Sequence, residues 1–239
     1  MTDSSPEATH IPDDLWSRVD AVPGWLTRAQ AAVLRTAVAD AGAAPVVVEI
    51  GSHHGRSTVV LATARPDVAV TAVDPFVTAR LFAGPSVREA LDANLTAFSV
   101  SDRVEVRAVP SAVARAAWTR PVDVLYVDGK HDYWTVRDDL RWVSFVRPGA
   151  PVLVHDAFSS VGVTLALLRH VLLGRTLSYA GRTGSLARFV VAPPGWVQRR
   201  AMLAELPWWV RNLVVKVLLR LRLRPVAELL GHHDRYDPY

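Results

Sequence analysis

The chain has 239 residues, of which 50% are hydrophobic and 21% charged, with no cysteine and a formal net charge of +4. Such a chain can bury a full core without disulfides, and the lack of cysteine excludes Cys-ligated zinc and cysteine nucleophiles. Residues 1–195 carry 19 basic and 19 acidic side chains, whereas residues 196–239 carry 8 and 4. We expect no nucleic-acid partner, because the main body lacks a basic stripe.

Neither a secretory signal nor a membrane-spanning segment is evident in the sequence. The first residues lack the basic-then-apolar order of a secretory signal, and no uncharged apolar run reaches the ~18 residues of a membrane span. We expect a cytoplasmic protein.

The N-terminal part is predicted to be helical: Pro12 starts one turn, and Thr27 caps a helix that continues to Val38 at 3- and 4-residue spacing. Further along, β-branched runs alternate with amphipathic stretches. The predicted strands are 45–50, 68–73, 104–109, 122–127 and 151–154, and the predicted helices are 56–64, 86–98, 111–118, 133–146 and 160–173. This alternation predicts a parallel sheet covered on both faces.

After the last of these helices, the runs 177–179 and 186–191 are separated only by residues 180–185, which predicts an antiparallel hairpin. The predicted fold class is therefore α/β, a doubly wound seven-stranded sheet that is mostly parallel with an antiparallel C-terminal hairpin. We divide the chain into an N-terminal helical extension (1–40), a main domain (41–195) and a basic amphipathic C-terminal extension (196–239).

The first strand leads into a two-glycine turn, Glu49-Ile50-Gly51-Ser52-His53-His54-Gly55-Arg56-Ser57. Glycines at this place let a cofactor approach the backbone at the carboxyl edge of the sheet. The turn lacks the third glycine of a dinucleotide fingerprint and the lysine of a phosphate-binding loop. Asp74 follows the second strand, 23 residues after Gly51, where an acid can accept hydrogen bonds from ribose hydroxyls. The alternatives are an ordinary strand-to-helix turn and a capping aspartate.

Two acidic side chains follow neighbouring strands. Asp128 ends the fourth strand and Asp156 the fifth, so their backbones should lie about 4.8 Å apart at the carboxyl edge. Carboxylates this close share a proton, pair with a cation or bind a metal such as Mg²⁺. His131 lies three residues after Asp128 and is a candidate general base. The alternatives are helix-capping aspartates and a histidine in a surface turn.

The C-terminal segment 206–230 contains an amphipathic basic helix. One predicted face carries Val210, Leu213, Val214, Val217, Leu218 and Leu221, and another carries Asn212, Lys216 and Arg220. Such a helix can lie on an anionic membrane surface, pack on the domain, join two subunits or cover the active site. We expect a homo-oligomer and leave peripheral membrane contact open.

The residues that carry a resemblance to a known family are the glycine turn, Val73-Asp74-Pro75, the run 126–133 with Asp138, Pro148-Gly149 and His155-Asp156. At these residues the sequence resembles Rossmann-like class I S-adenosylmethionine-dependent methyltransferases, and among them the small metal-dependent sugar O-methyltransferases. The resemblance covers residues 40–192. It implies that S-adenosyl-L-methionine is bound by the turn residues Glu49, Gly51, Ser52, Gly55 and Ser57, by Asp74 at the ribose and by Ser111 on the adenine side.

The resemblance also implies that Asp128 and Asp156 bind Mg²⁺ or another divalent cation. Metal-dependent relatives often carry two adjacent acids after the fifth strand, whereas here the first of that pair is His155, a poor Mg²⁺ ligand. We therefore leave open whether a softer ion, fewer protein ligands or no metal is used.

The expected function is methyl transfer to a hydroxyl, of a sugar in a glycan, glycolipid or natural product, with Asp128 and His131 as catalytic residues. The proton is removed with the help of a metal held by Asp128, Asp156 and His155. The alternatives are a nicotinamide-dependent oxidoreductase and a non-catalytic membrane-associated binding module.

Overall fold

In the computed structural model, which describes residues 11–76 and 86–233, seven strands form one sheet in the order β3-β2-β1-β4-β5-β7-β6. The strands are β1 (Val46–Ile50), β2 (Ala69–Val73), β3 (Val104–Arg107), β4 (Val124–Val127), β5 (Pro151–Val154), β6 (Leu177–Thr183) and β7 (Leu186–Val191). β1 to β5 are parallel, whereas β7 pairs antiparallel with both β5 and β6. The predicted fold class is confirmed.

Helices cover both faces of this sheet. They are α1 (Asp13–Ala21), α2 (Arg28–Ala39), α3 (Arg56–Ala62), α4 (Val87–Ala97), α5 (Ser111–Ala116), α6 (Tyr133–Asp139), α7 (Val161–Leu172), α8 (Trp196–Ala204), α9 (Leu206–Arg220) and α10 (Arg224–Leu229). One core packs α1 to α4 against alternate strand residues, and the other packs α5 to α8 against the remaining ones. Side chains of successive strand residues point to opposite faces, so β1, β2, β4, β5 and β7 supply both cores.

The predicted cap of α2 is confirmed. The Thr27 hydroxyl accepts a hydrogen bond from the Gln30 amide, and the Gln30 side chain accepts one from the Thr27 amide. This reciprocal pair is a capping box, which satisfies two amides that a helix start otherwise leaves unpaired.

Two element boundaries differ from the prediction by more than two residues. β6 continues to Thr183, so the hairpin loop is the two-residue turn Gly184-Ser185 in place of residues 180–185. Gly184 has a φ of 57°, as such short turns require at their first position. The helix expected over 133–146 ends at Asp139 and continues only as a 3₁₀ segment, residues 140–145.

The C-terminal helix α9 forms as predicted, but its polar side faces the domain. Asn212 is fully buried, whereas Val210, Val214, Val217 and Leu221 are exposed. The Asn212 side chain donates to the carbonyl of Phe158, and Lys216 donates to that of Ser159. Buried polar groups are stable when they are hydrogen-bonded in this way. Among the described residues, no helix is long and apolar enough to cross a membrane.

Candidate active site

A cleft of about 720 Å³ opens at the carboxyl edge of the parallel strands. All of the site residues predicted from the sequence line it except Glu49 and Gly55, namely Gly51, Ser52, Ser57, Asp74, Ser111, Asp128, His131, His155 and Asp156. The carboxyl edge is where open α/β sheets bind their ligands.

The glycine turn connects β1 to α3 and lies against Asp128, the residue after β4. Gly51 has a φ of 89°, and a Cβ there would lie 2.2 Å from the carbonyl oxygen of Asp128. Only glycine permits both this conformation and this approach. Gly55, with a φ of 86°, precedes the first residue of α3, and a Cβ added there would lie 3.4 Å from Leu91. Both glycines thus shape the turn, although only Gly51 borders the cleft.

Glu49 lies beneath the turn and is fully buried. Its carboxylate accepts hydrogen bonds from the hydroxyls of Ser57 and Thr58 on α3, both at 2.5 Å. Burial raises the pKa of Glu49 to about 7, because removal from water disfavours the charged form more than the two hydroxyls stabilise it. A cationic group bound above the turn would favour ionisation of this carboxyl.

Asp74 fixes the far side of the same turn. Its Oδ2 accepts hydrogen bonds from the amides of Ser52 and His53, at 3.0 and 2.9 Å, and its Oδ1 accepts one from the amide of Phe76. A carboxylate has about four acceptor positions, so Oδ1 retains capacity for a ligand hydroxyl. The ribose assignment of Asp74 stays a prediction.

Ser111 lies where α5 begins, and its hydroxyl accepts a hydrogen bond from the Trp142 indole at 2.9 Å. Beside it, Asp139 lines the cleft, and burial raises the pKa of Asp139 to about 6. Asp138, which is part of the sequence resemblance, instead forms an ion pair with Arg115. The sequence analysis did not select Asp139. The signal that could have identified it is its position directly after Asp138, an acid of the sequence resemblance.

Two aspartates and two histidines meet at the ends of β4 and β5. The His131 Nε2 lies 2.9 Å from Asp156 Oδ2 and 4.0 Å from Asp128 Oδ1. The His155 Nδ1 lies 3.5 Å from each of Asp128 Oδ1 and Asp156 Oδ2. The predicted approach of the two acids is therefore found, with a histidine on either side.

The charges of this cluster are strongly coupled. The carboxylates of Asp128 and Asp156 raise the pKa of His131 to about 10. Burial of Asp156 favours its neutral form, but His131 and His155 outweigh burial and hold its pKa well below the ordinary range. The two carboxylates thus favour the protonated ring of His131, which opposes its use as a base.

Asp156 is held in an unusual backbone conformation with a φ of 54°. Its backbone carbonyl accepts from the Ser160 amide at 3.0 Å, and its Oδ1 accepts from the Ser159 hydroxyl at 2.9 Å. Strained conformations of this kind persist where the surroundings over-determine them, and they are concentrated at functional sites.

The residues after β4 and β5 also suit a metal ion. Asp128, His155 and Asp156 each offer a ligand atom, and these atoms lie within 4.8 Å of one another. The His155 Nδ1 is buried and has no hydrogen-bond partner among the described residues. Two carboxylate oxygens and one imidazole nitrogen fit a divalent transition ion better than Mg²⁺, which prefers oxygen.

Several other polar atoms of the cleft are buried without a partner among the described residues. They are Ser52 Oγ, His54 Nδ1, Arg56 Nε and Asp139 Oδ2. Unpaired buried polar groups are costly, and their concentration in one cleft indicates a site completed by a ligand.

The N-terminal extension contributes to the rim of the cleft, which the sequence did not indicate. Trp25 lines the cleft, and Arg56 of the glycine turn reaches back to Asp20 at 2.5 Å and to the carbonyl of Val22. This arginine is buried and links the C-terminal end of α1 and the residue after it to the glycine turn.

Residues 48–157 match the family model of a methyltransferase domain. Similar solved structures include an O-methyltransferase from Bacillus cereus in complex with S-adenosylhomocysteine (20% identity, 80% of this chain and 92% of that chain, TM-score 0.56). Another is an O-methyltransferase from Streptomyces achromogenes involved in tomaymycin synthesis, in complex with S-adenosylmethionine (20% identity, 78% and 92%, TM-score 0.52).

An O-methyltransferase family protein from Burkholderia thailandensis is also similar (16% identity, 70% of this chain, TM-score 0.51), and the chain spans 55% of that protein's length. At these identities the structures show a shared fold. The family model and the closing hairpin favour a methyltransferase domain over a nicotinamide-dependent enzyme.

Proposed function

We propose that residues 48–157, which match the family model of a methyltransferase domain, form a class I S-adenosylmethionine-dependent methyltransferase and that this chain methylates a hydroxyl oxygen of a small-molecule or glycan acceptor. The observation that carries the proposal is the position of Asp128, His131 and Asp156. They lie in the same cleft as the glycine turn, so an acceptor bound beside them lies next to the cofactor.

The cofactor supplies an activated methyl group on a sulfonium sulfur. We assign its methionine part to the turn from Gly51 to Ser57, above Glu49, and its ribose to Asp74. Ser111 and Asp139 border the adenine side. The buried polar atoms without partners at Ser52 and Asp139 support this assignment.

In the reaction the methyl carbon leaves sulfur and joins the acceptor oxygen, while the hydroxyl proton passes to a protein base. The protein has to align the oxygen behind the methyl group and accept this proton. His131 and Asp128 are the candidate bases. His131 needs a neutral ring, which the two nearby carboxylates oppose, so its use as a base requires that their charge be compensated.

We propose that a divalent cation held by Asp128, Asp156 and His155 provides this compensation. When bound, such an ion would also acidify a hydroxyl as a Lewis acid. The imidazole ligand favours a transition ion over Mg²⁺. The buried Nδ1 of His155, which makes no hydrogen bond within the described part of the chain and faces both carboxylates, supports this choice of ligands.

A sugar hydroxyl is the proposed acceptor class, on the strength of the sequence resemblance to small sugar O-methyltransferases. Such hydroxyls are weak acids, and the grouping of acids and histidines suits their deprotonation. The chain's cytoplasmic location and homo-oligomeric state stay predictions.

The test begins with calorimetric titration of the purified protein with S-adenosylhomocysteine, with and without Mn²⁺ or Mg²⁺. We expect micromolar binding without an acceptor. Acceptor screening with S-adenosylmethionine would then give products that are heavier by one CH₂ group. Absence of cofactor binding by the folded protein would contradict the proposal, whereas cofactor binding with methylation of nitrogen alone would contradict the hydroxyl acceptor.

A further inference from the structure

Exposed apolar side chains are concentrated at the C-terminal end of the described chain. Of the 17 large hydrophobic residues exposed in the part that the structure describes, 11 lie between Trp196 and Leu230. Scattered apolar residues on a surface are ordinary, but a contiguous group marks an interaction site.

On α9 these residues form one stripe. Val210, Val214, Val217 and Leu221 fall within a sector of about 60° at 100° per residue, and each is at least 43% exposed. The chain continues into α10, where Val226 and the following Leu229 and Leu230 are exposed as well. We call these seven residues the C-terminal apolar surface.

The opposite side of α9 is firmly attached to the domain. Asn212 donates to the Phe158 carbonyl at 2.9 Å, and Lys216 donates to the Ser159 carbonyl at 2.7 Å. Val215 is completely buried between them. The apolar stripe is therefore exposed because the helix uses its polar side for packing.

Cationic side chains border the C-terminal apolar surface. Arg220, Arg222 and Arg224 are exposed at the junction of α9 and α10. Between residues 206 and 233 the single acidic residue is Glu228, which is 3.3 Å from Arg224. This arrangement matches an anionic membrane surface. The apolar side chains would contact the acyl chains, and the arginines would contact the negatively charged headgroups above them.

We infer that the C-terminal apolar surface docks the protein on an anionic lipid bilayer, with α9 and α10 lying in the interface. A second copy of the chain is a poorer partner. A two-fold contact through this surface would bring the arginine groups of both copies together, and within the described residues 206–233 only Glu228 of each copy could offset them.

Docking of this kind would place the active site close to the lipid. The carbonyls that anchor α9 belong to Phe158 and Ser159, and Ser159 also donates to the Asp156 carboxylate at 2.9 Å. Two successive hydrogen bonds, from Lys216 to Ser159 and from Ser159 to Asp156, thus connect α9 to the cluster of acids and histidines.

The test is sedimentation of the full chain with vesicles of phosphatidylcholine alone or mixed with phosphatidylglycerol. We expect binding to the anionic vesicles, weakened by salt, and none to the neutral ones. Replacing Val214→Asp together with Val217→Asp should weaken binding at least tenfold. Replacing Arg220→Gln together with Arg222→Asn should weaken it and reduce the salt dependence.

The matched control replaces Val113→Asp together with Leu173→Asp, which adds the same charge at residues that are also exposed but lie on α5 and after α7. It should bind within twofold of the unmodified protein. If the Val214/Val217 variant and the Val113/Leu173 control lose vesicle binding equally, binding depends on the net charge of the protein and not on the C-terminal apolar surface. That result would overturn the inference. So would a dimer, seen by light scattering, that dissociates in the Val214/Val217 variant while no vesicles bind.

Discussion

The side-chain oxygen of Gln30 lies 3.3 Å from Nε2 of His155, 125 residues later in the chain. Amide oxygens accept only, so this contact places the proton of a neutral His155 on Nε2 and leaves the Nδ1 lone pair facing Asp128 and Asp156. Gln30 itself is held by the Thr27 amide and the Ser185 hydroxyl. The N-terminal helix thus orients a side chain of the proposed metal site.

Replacing Gln30→Met removes this acceptor while keeping a side chain of similar size. We expect divalent metal affinity to fall 10- to 100-fold, as is typical when the partner of a metal-binding histidine is lost. Affinity for S-adenosylhomocysteine should stay the same, because Gln30 does not line the cleft. Titration calorimetry with Mn²⁺ and with the cofactor product measures both.

Thr27→Ala is the control for the stability of α2, since it breaks the same capping box without touching His155. It should cost about 1 kcal/mol of unfolding free energy and leave metal affinity unchanged. If both variants lose metal affinity equally, Gln30 acts through the helix and not through the histidine.

Asp128→Asn tests the catalytic assignment with almost no change of shape. The Tyr126 hydroxyl can still donate to this side chain, as it does to Asp128 at 2.9 Å. We expect methyl transfer to fall at least 10²-fold, with the affinity for S-adenosylhomocysteine within a factor of about three. A collapse of cofactor binding would instead make Asp128 a cofactor or folding residue.

The parts of the fold that follow from local pattern were predicted well. β-branched runs and glycine turns specify the parallel strands, and the motif acids at their ends indicated the cleft, because parallel strands share one carboxyl edge. The Thr27 cap was also evident, since its geometry needs only residues within one turn.

The orientation of α9 was not predictable from the sequence. Helical periodicity separates an apolar side from a polar side, but it does not say which of them meets the domain. Here Asn212 and Lys216 find carbonyl acceptors on the loop after β5, which lies more than 50 residues earlier. The Gln30–His155 contact was not predictable for the same reason, because a local sequence pattern does not show which distant residues meet in the fold.

The close approach at Gly51 gives a direct test of the turn. Gly51→Ala adds a Cβ that would overlap the Asp128 carbonyl, so the ends of β1 and β4 would have to separate. We expect a large loss of unfolding free energy and of cofactor affinity, measured by urea denaturation and calorimetry.

Gly149→Ala is the matched control, since Gly149 has a similar φ of 82° but no atom within 4 Å of an added Cβ. This substitution should lower the free energy of unfolding by only about 1–2 kcal/mol, the cost of placing a residue with a Cβ in the left-handed conformation. Equal losses in the two variants would show that backbone conformation, and not the contact with Asp128, requires glycine at position 51.

The buried carboxyl of Glu49 gives a pH-dependent test. Burial raises its pKa from an ordinary value of 4.5 to about 7, so between these values the folded state binds more protons than the unfolded state. Stability contributed by Glu49 is complete below pH 4.5 and is lost as pH rises to about 7. The loss corresponds to roughly 3 kcal/mol at 1.36 kcal/mol per pKa unit.

Glu49→Gln keeps the shape and removes the titration. Urea unfolding of both proteins from pH 4.5 to 8 should therefore show the variant gaining stability relative to the unmodified protein as pH rises, with the change complete near pH 8. All other groups contribute equally to the two curves and cancel in the difference. Parallel curves would mean that Glu49 is ionised throughout, with Ser57 and Thr58 sufficient to stabilise its charge.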